Sequence, residues 1–312
     1  MKVVFLGTPQ FSVPSLEILP TIKDIDIRCV VTHPDKPKGR NLVVVPPPVR
    51  ITAEKLGLPV FQPPKVSAVE SVDKLKNMGI DLIVVVSFGE ILSKELLLVP
   101  KLGCINLHTS ILPKYRGAAP VSWALMNGEK KTGITTFWIA EKMDSGDIIM
   151  KKEVEISPSD NRGTLENKLS IEGAGLLKNT IEAIMDASAP RIPQDHSKMT
   201  LAPKIGKKDG LLDWGQTAFV IHNKIRAMNP WPVAFTFYNG IRVEIWESCV
   251  TDNVGGAIPG AVVALDKNGI GVSTGGGVLI IKELQAEGKK RVKAVDFING
   301  YRLKVGEAFG EK

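Results

Sequence analysis

The run G-C-I-N-L-H at 103–108 sets an amide and an imidazole, Asn106 and His108, two residues apart. In an extended strand side chains alternate between faces, so Cys104, Asn106 and His108 share one side and Ile105 and Leu107 take the other. Such a strand ends at His108, and open α/β sheets carry their ligand crevices beyond the carboxyl ends of strands. There an Asn amide can donate to an oxyanion and a His can take up or deliver a proton, a pairing that suits acyl transfer. Taken alone, a His in this place serves equally as a loop cap. A carboxylate follows in M-D-S-G-D at 143–147, where the Ser145-Gly146 turn can swing Asp144 into the same crevice and hold the imidazole in one tautomer. Asp147 competes for that role and spacing does not separate the two; a carboxylate here can also do no more than shape its turn.

The elements that must position these groups follow from periodicity. Segments 2–7, 25–32 and 81–88 are rich in Val and Ile and read as strands buried on both faces. Between them 11–19, 48–56 and 67–78 read as helices, with Pro14 and Pro48 suited to first turns and Gly57 to a stop. Strands at 103–108, 133–139 and 148–156, with helices at 118–126 and 162–186, continue the alternation and predict a Rossmann-like α/β domain over 1–188 with a parallel sheet. Gly173 and Gly175 weaken the middle of the last helix. Around 187 the chain loses periodicity and collects Pro, Ser, Lys and Gly, which places a basic linker at 189–210. Past a helix at 217–228, the part from 211 to 312 reads as short strands. F-T-F-Y-N-G-I-R-V-E-I-W carries Asn239-Gly240 between alternating runs, a strong hairpin signal. Further turns at 267–269 and 275–277 predict a small Greek-key β-barrel of the OB-like kind.

Composition narrows the function. A chain of 312 residues, 44% hydrophobic and 23% charged, is long enough for two packed cores and excludes disorder, coiled coil and collagen. Its apolar runs fall far short of the roughly 20 residues a bilayer requires. Met1-Lys2 leads straight into a strand, so no secretory signal is expected and the expected compartment is the cytoplasm. Cys29, Cys104 and Cys249 lack any C-x-x-C spacing, so neither disulfides nor a metal site is expected. Gly7-Thr8-Pro9 follows the first strand without a G-x-G-x-x-G or Walker signature, so dinucleotide and nucleoside triphosphate binding lack their backbone motifs. The net charge is +7, and residues 201–312 hold 15 basic against 11 acidic side chains, a modest tilt that makes an anionic partner such as RNA worth testing, though many basic proteins bind none. Candidate phosphate contacts are Lys36, Lys38 and Arg40 in the proline-rich loop at 34–47, and Lys204, Lys207 and Lys208 in the linker. Lys289, Lys290, Arg291 and Lys293 near the end are further candidates. Any one of these cations can equally be a solvated surface charge.

The run G-C-I-N-L-H-T-S-I-L-P-K-Y-R-G-A-A-P, followed by W-A-L, T-G-I-T and M-D-S-G-D-I, resembles the folate-dependent formyltransferases. By that resemblance Asn106, His108 and Asp144 form the catalytic trio, and Ser110, Ile111, Leu112 and Pro113 correspond to the tetrahydrofolate-binding segment. Gly89 and Ile91 would line the pteridine pocket, and 10-formyltetrahydrofolate would be the cosubstrate, with no metal. F-L-G-T-P-Q-F, T-H-P-D-K-P-K-G-R, G-L-P-V-F-Q-P, N-P-W-P and V-x-I-W extend the likeness from about residue 2 to 305. They resemble the branch that formylates the α-amine of methionyl initiator tRNA. For that branch the resemblance implies tRNA held by the basic loop, linker and barrel, and a monomer without membrane contact. Thr109, Ile111 and Ser93 depart from the usual Gly, Leu and Pro, and 40–45 is less basic than in some relatives. Three other readings compete: transfer to an amino sugar, hydrolysis of the formyl folate, and RNA binding without chemistry. The basic loop and lysine-bearing C-terminal part weigh against the first two, and the intact trio against the third.

Overall fold

Runs of Val and Ile pack well on a pleated surface, and in this computed structural model they become strands at the expected places. The structure describes residues 1–38, 43–251 and 256–310. In chain order the elements of the first two thirds are β1 (Lys2–Gly7), α1 (Val13–Ile18), β2 (Asp26–Val31), β3 (Lys36–Lys38), β4 (Val43–Val45), α2 (Pro48–Lys55), β5 (Val60–Phe61), α3 (Val69–Lys76), β6 (Leu82–Val86), α4 (Lys94–Leu97), β7 (Gly103–His108), β8 (Arg116–Gly117), α5 (Pro120–Met126), β9 (Lys131–Trp138), β10 (Ile148–Glu155), α6 (Arg162–Met185) and β11 (Leu201–Ala202). The chain divides into two compact units. Met1–Pro120, Lys131–Glu155 and Glu166–Pro203 make the first, and Val121–Lys130, Ile156–Leu165 and Lys204–Lys312 the second.

The first unit holds a seven-stranded sheet in the order β10-β9-β7-β6-β1-β2-β5. Strands β5, β2, β1, β6 and β7 are parallel, as the alternation of strands and helices requires. The sheet is not parallel throughout, however: β9 runs antiparallel to β7, and β10 to β9. The connection at 139–147 is too short for a parallel crossover, so β9 and β10 pair as a hairpin. Strand order reverses between β1 and β6, which makes the carboxyl ends of the central strands the place for a crevice. One face of the sheet is filled by Val4, Leu6, Val31, Ile83, Val85 and Cys104, packed with Leu75 and Leu96. Burial pushes the Cys104 thiol up to about 12, so this cysteine is packing and not a nucleophile. Gly173 has a use in α6: a Cβ there would lie 3.1 Å from Leu107 Cδ1, so the glycine lets the helix sit close on β7.

The second unit continues with α7 (Ala218–Met228), β12 (Ala234–Tyr238), β13 (Ile241–Thr251), β14 (Val262–Asp266), β15 (Gly269–Ser273), β16 (Val278–Ala286), β17 (Val292–Lys293) and α8 (Ala294–Tyr301). Its antiparallel sheet runs β12-β13-β16-β15-β14, with β17 added on β16. The β12–β13 turn has φ 50° at Asn239 and 74° at Gly240, the left-handed pair that a two-residue hairpin demands. The edges are joined by the chain near its end. Phe237 and Gly310 exchange backbone hydrogen bonds, while Phe309 N–H donates to Gly260 and Val262 N–H to Glu307. Residues 306–310 thereby bridge β12 to the start of β14 and close a small barrel. Tyr238, Phe297, Tyr301 and Phe309 fill one end, with Phe297 and Tyr301 stacked at 4.3 Å. No helix among the described residues is long and apolar enough to cross a membrane.

Candidate active site

Strand β7 presents Asn106 and His108 on one face at its carboxyl end, Asn106 beside Val85 of β6 and Phe137 of β9. A cavity of about 160 Å³ opens there, lined by Asn106, Asp144, Ile91, Glu90, Phe137 and Met143 among others. His108 sits one layer deeper, at 6% exposure. Its Nε2 is 2.9 Å from the Tyr115 carbonyl oxygen. A carbonyl only accepts, so Nε2 carries the proton and Nδ1 is the ring position left to take one up. Nδ1 faces Asp144 Oδ2 at 3.8 Å, and the Gly117 N–H donates to the same oxygen at 2.8 Å. The carboxylate therefore stands between the cavity and the imidazole. Spacing alone left Asp144 and Asp147 level; the fold brings Asp144 to His108. Gly146 makes this possible, since a Cβ there would lie 1.8 Å from the Trp138 carbonyl oxygen.

The remaining predicted residues fall in several places. Gly89, at φ 86°, and Ile91, 81% exposed, lie on the segment after β6, and Ile91 faces the cavity. His33 braces that segment: its ring stacks on Phe88 at 4.9 Å, Nε2 meets the Phe88 carbonyl at 2.8 Å, and Nδ1 lies 3.3 Å from Glu90. Ser110, Ile111, Leu112 and Pro113 do not line the cavity. Ser110 and Leu112 are fully buried. The Ser110 hydroxyl donates to the Lys114 carbonyl at 2.6 Å, and the Thr135 hydroxyl ties Ser110 O to Leu112 N. Lys151 Nζ donates to the Leu112 carbonyl at 2.6 Å, and burial pulls its pKa below the usual lysine range. Lys36 is exposed beside a second cavity of about 230 Å³ walled by Pro9, His33, Pro34, Pro37 and Pro46. The Lys38 backbone pairs with Val43 in a β3–β4 hairpin that the loop reading had not contained; its side chain and Arg40 lie outside the described residues. Lys204, Lys207 and Lys208 are exposed, the last two on a 3-10 turn, Lys207–Gly210. Lys289, Lys290 and Lys293 are exposed, whereas Arg291 is engaged by Glu283 and the face of Trp246. Among the described residues, no group of three or more His, Cys, Asp or Glu side chains is placed to hold a metal ion.

Residues 1–181 match the family described as Formyl transferase, and 204–302 match the one described as Formyl transferase, C-terminal domain. The chain belongs to the formyl transferase family. It is 47% identical over 311 residues to the methionyl-tRNA formyltransferase of Bacillus subtilis, covering 99% of this chain and 98% of that one. It is 44% identical over 313 residues to the methionyl-tRNA formyltransferase of Ruminiclostridium cellulolyticum, with 100% of each chain covered. Among solved structures, WlaRD, a sugar 3N-formyl transferase, shares the fold at a TM-score of 0.68 and 21% identity, over 93% of this chain and 99% of that one. Within this formyl transferase frame, several residues at the site carried no sequence signal of their own. Tyr115 and Gly117 act through backbone atoms, which any residue type possesses. Thr135 and Lys151 lie on β9 and β10, far in sequence from the loop they tie down. Gln194 lies in the stretch expected to be linker, yet it is 7% exposed and bonded to the Asp144 loop.

Proposed function

We propose that the chain transfers the formyl group of 10-formyltetrahydrofolate to the α-amino group of methionyl initiator tRNA, giving N-formylmethionyl-tRNA for translation initiation. The observation that carries this reading is the 47% identity to a methionyl-tRNA formyltransferase across both units. The geometry of the first unit supports it. The folate supplies a formyl carbon bound to a nitrogen that can leave. Ile91 and Met143, both exposed at the cavity, offer apolar surface to a flat pteridine ring, with Gly89 exposed on the same segment as Ile91 though not on the cavity wall, so the residues present fit the cosubstrate. Asn106 meets the formyl oxygen as a hydrogen-bond donor and stabilises the negative charge that develops there. The amine attacks the formyl carbon, and as the carbon–N10 bond breaks the proton that leaves the amine is managed by the Asp144–His108 pair, 3.8 Å apart, and delivered to N10 of the departing tetrahydrofolate. The Tyr115 carbonyl keeps the imidazole in the tautomer that leaves Nδ1 open. The turn of Ser110, Ile111, Leu112 and Pro113, anchored by the buried Ser110 and Leu112, supports the folate side of the site.

The reading carries a division of labour: the domain expected over 1–188 catalyses and 211–312 hold tRNA through the OB-like barrel, while the basic stretch 189–210 expected as a linker divides at Pro203, its first part packing with the catalytic unit. Lys36, Lys38, Arg40, Lys204, Lys207 and Lys208 are its phosphate contacts, in a monomer acting in the cytoplasm. The test is incubation of the purified protein with 10-formyltetrahydrofolate and methionyl initiator tRNA, with uncharged tRNA as control. Formylmethionine that appears only with the aminoacylated tRNA is the expected result. Conversion of the folate at the same rate in both tubes, without formylmethionine, would make the chain a hydrolase and overturn the reading.

A further inference from the structure

The surroundings of the His108–Asp144 pair come from two pieces of chain. One is the turn 144–146; the other is the stretch 115–117, which supplies the Tyr115 carbonyl to His108 and the Gly117 N–H to Asp144. A single buried amide spans both. Gln194 Nε2 donates to the Asp144 carbonyl at 2.9 Å and to the Gly146 carbonyl at 2.8 Å. Its Oε1 accepts from Arg116 Nε at 3.1 Å and from Arg116 Nη2 at 2.5 Å. Both donors and both lone pairs of the amide are used, so no other side chain of similar size satisfies all four partners. Asp144 has φ 48°, in the left-handed region that Asp adopts more readily than most side chains, and one of Gln194's bonds falls on its own carbonyl. The segment bearing Gln194 is fastened in turn. Tyr115 N–H donates to the Thr200 hydroxyl at 2.8 Å, Arg116 N–H to the Thr200 carbonyl at 2.9 Å, and β11 pairs with β8.

We infer that Gln194 is a positioning residue for the formyl-transfer site: it fixes the Asp144 carboxylate relative to His108 by clamping the 144–146 turn to Arg116. This rests on the proposed function, whose reaction it refines. The two halves of the clamp are separable. In Gln194→Glu the acceptor side remains for Arg116, while a carboxylate oxygen faces two carbonyl oxygens and both donor bonds are lost. Protonation of that carboxyl restores one donor, so acid rescues Gln194→Glu and has no counterpart in Gln194→Met. The charged and titratable groups facing position 194 are Arg116, Asp144 and His196, the last joined to Arg116 Nη2 at 3.0 Å.

The experiment measures formyl transfer to methionyl initiator tRNA by wild type, Gln194→Glu and Gln194→Met from pH 5 to 8, with thermal melts of each. The expected result is kcat lower by about 10- to 100-fold in both variants, as displaced catalytic groups give, with KM for tRNA within about twofold. The kcat of Gln194→Glu relative to wild type should rise as pH falls, and that of Gln194→Met should not. Wild type active and both variants equal to it would overturn the inference alone. Identical pH profiles in the two variants, or unfolding of both, would assign Gln194 to the fold and overturn it too. An inactive wild type would instead bring down the proposed function.

Discussion

Asn106, His108 and Asp144 differ in what their removal leaves behind, and this separates chemistry from folding. Asn106 is half-buried and faces the cavity, so Asn106→Ala should reduce kcat by about 10²–10³, the usual effect of one oxyanion donor, and leave the melting temperature unchanged. His108 is buried against the Tyr115 carbonyl, so His108→Ala orphans that acceptor. It should cost about 1 kcal/mol of stability in denaturant titrations, besides a loss of about 10²–10⁴ in kcat. Asp144→Asn keeps the volume and tolerates φ 48°, and should fold normally while losing turnover to a similar degree. Asp147→Asn should remain active. Equal loss in the Asp144 and Asp147 variants would reject the assignment. Strand alternation places Asn106 and His108 on one face in the sequence itself, whereas spacing leaves Asp144 and Asp147 level and only the family resemblance implies Asp144. Gln194 was not legible: a buried amide is defined by four partners distant in sequence, and none of them leaves a period or motif around position 194.

At the scale of elements, the strands of the sheet and barrel were legible because burial on both faces, or on one, writes Val and Ile runs directly into the chain. Two-residue strands have no period to write. β8 and β11 exist because the 115–117 stretch and the segment before residue 203 satisfy one another, which explains why the latter reads as linker. The antiparallel turn of the sheet at β9 was missed because a strand's residue pattern does not state its direction. Gly146 is the element-scale link from turn to site: its missing Cβ leaves room for the Trp138 carbonyl. Gly146→Ala should therefore push the 144–146 turn off β9, lower kcat at least tenfold, and show in the crystal as a displaced Asp144. In the barrel unit, burial holds the α7 residue His222 down to about 4 from an ordinary 6.5, with Arg226 adding to the effect, while Nδ1 bonds the Ser248 hydroxyl at 2.9 Å. Between those pH values the unfolded chain binds more protons than the folded one, so stability falls as pH drops through the window, by roughly 2–3 kcal/mol over its full width. His222→Gln should flatten the dependence of melting temperature on pH between 6.5 and 4; an unchanged slope would assign the acid sensitivity to other groups.

Over the whole molecule, a net charge of +7 attracts polyanions without selecting among them, and under the proposed function the position of the cations decides how tRNA binding responds to salt. Lys204, Lys207 and Lys208 stand exposed at the start of the second unit's last stretch, directly after the segment that fastens the 115–117 stretch. If each meets a phosphate, each releases about 0.7–0.9 of a counterion on binding. The Lys204→Ala, Lys207→Ala, Lys208→Ala triple variant should then lower the slope of log K against log salt by about 2. Its affinity for tRNA should fall most at low salt, where counterion release drives binding, and converge on wild type as salt rises. Asn106, His108 and Asp144 are untouched by the change, so kcat at saturating tRNA should stay within about twofold, and the loss should appear in KM. An unaltered salt slope would remove these lysines from the tRNA path. A fall in kcat at saturation would mean that the lysines act on the 144–146 turn through the 194–203 segment, making that segment a mechanical link as well as a covalent one.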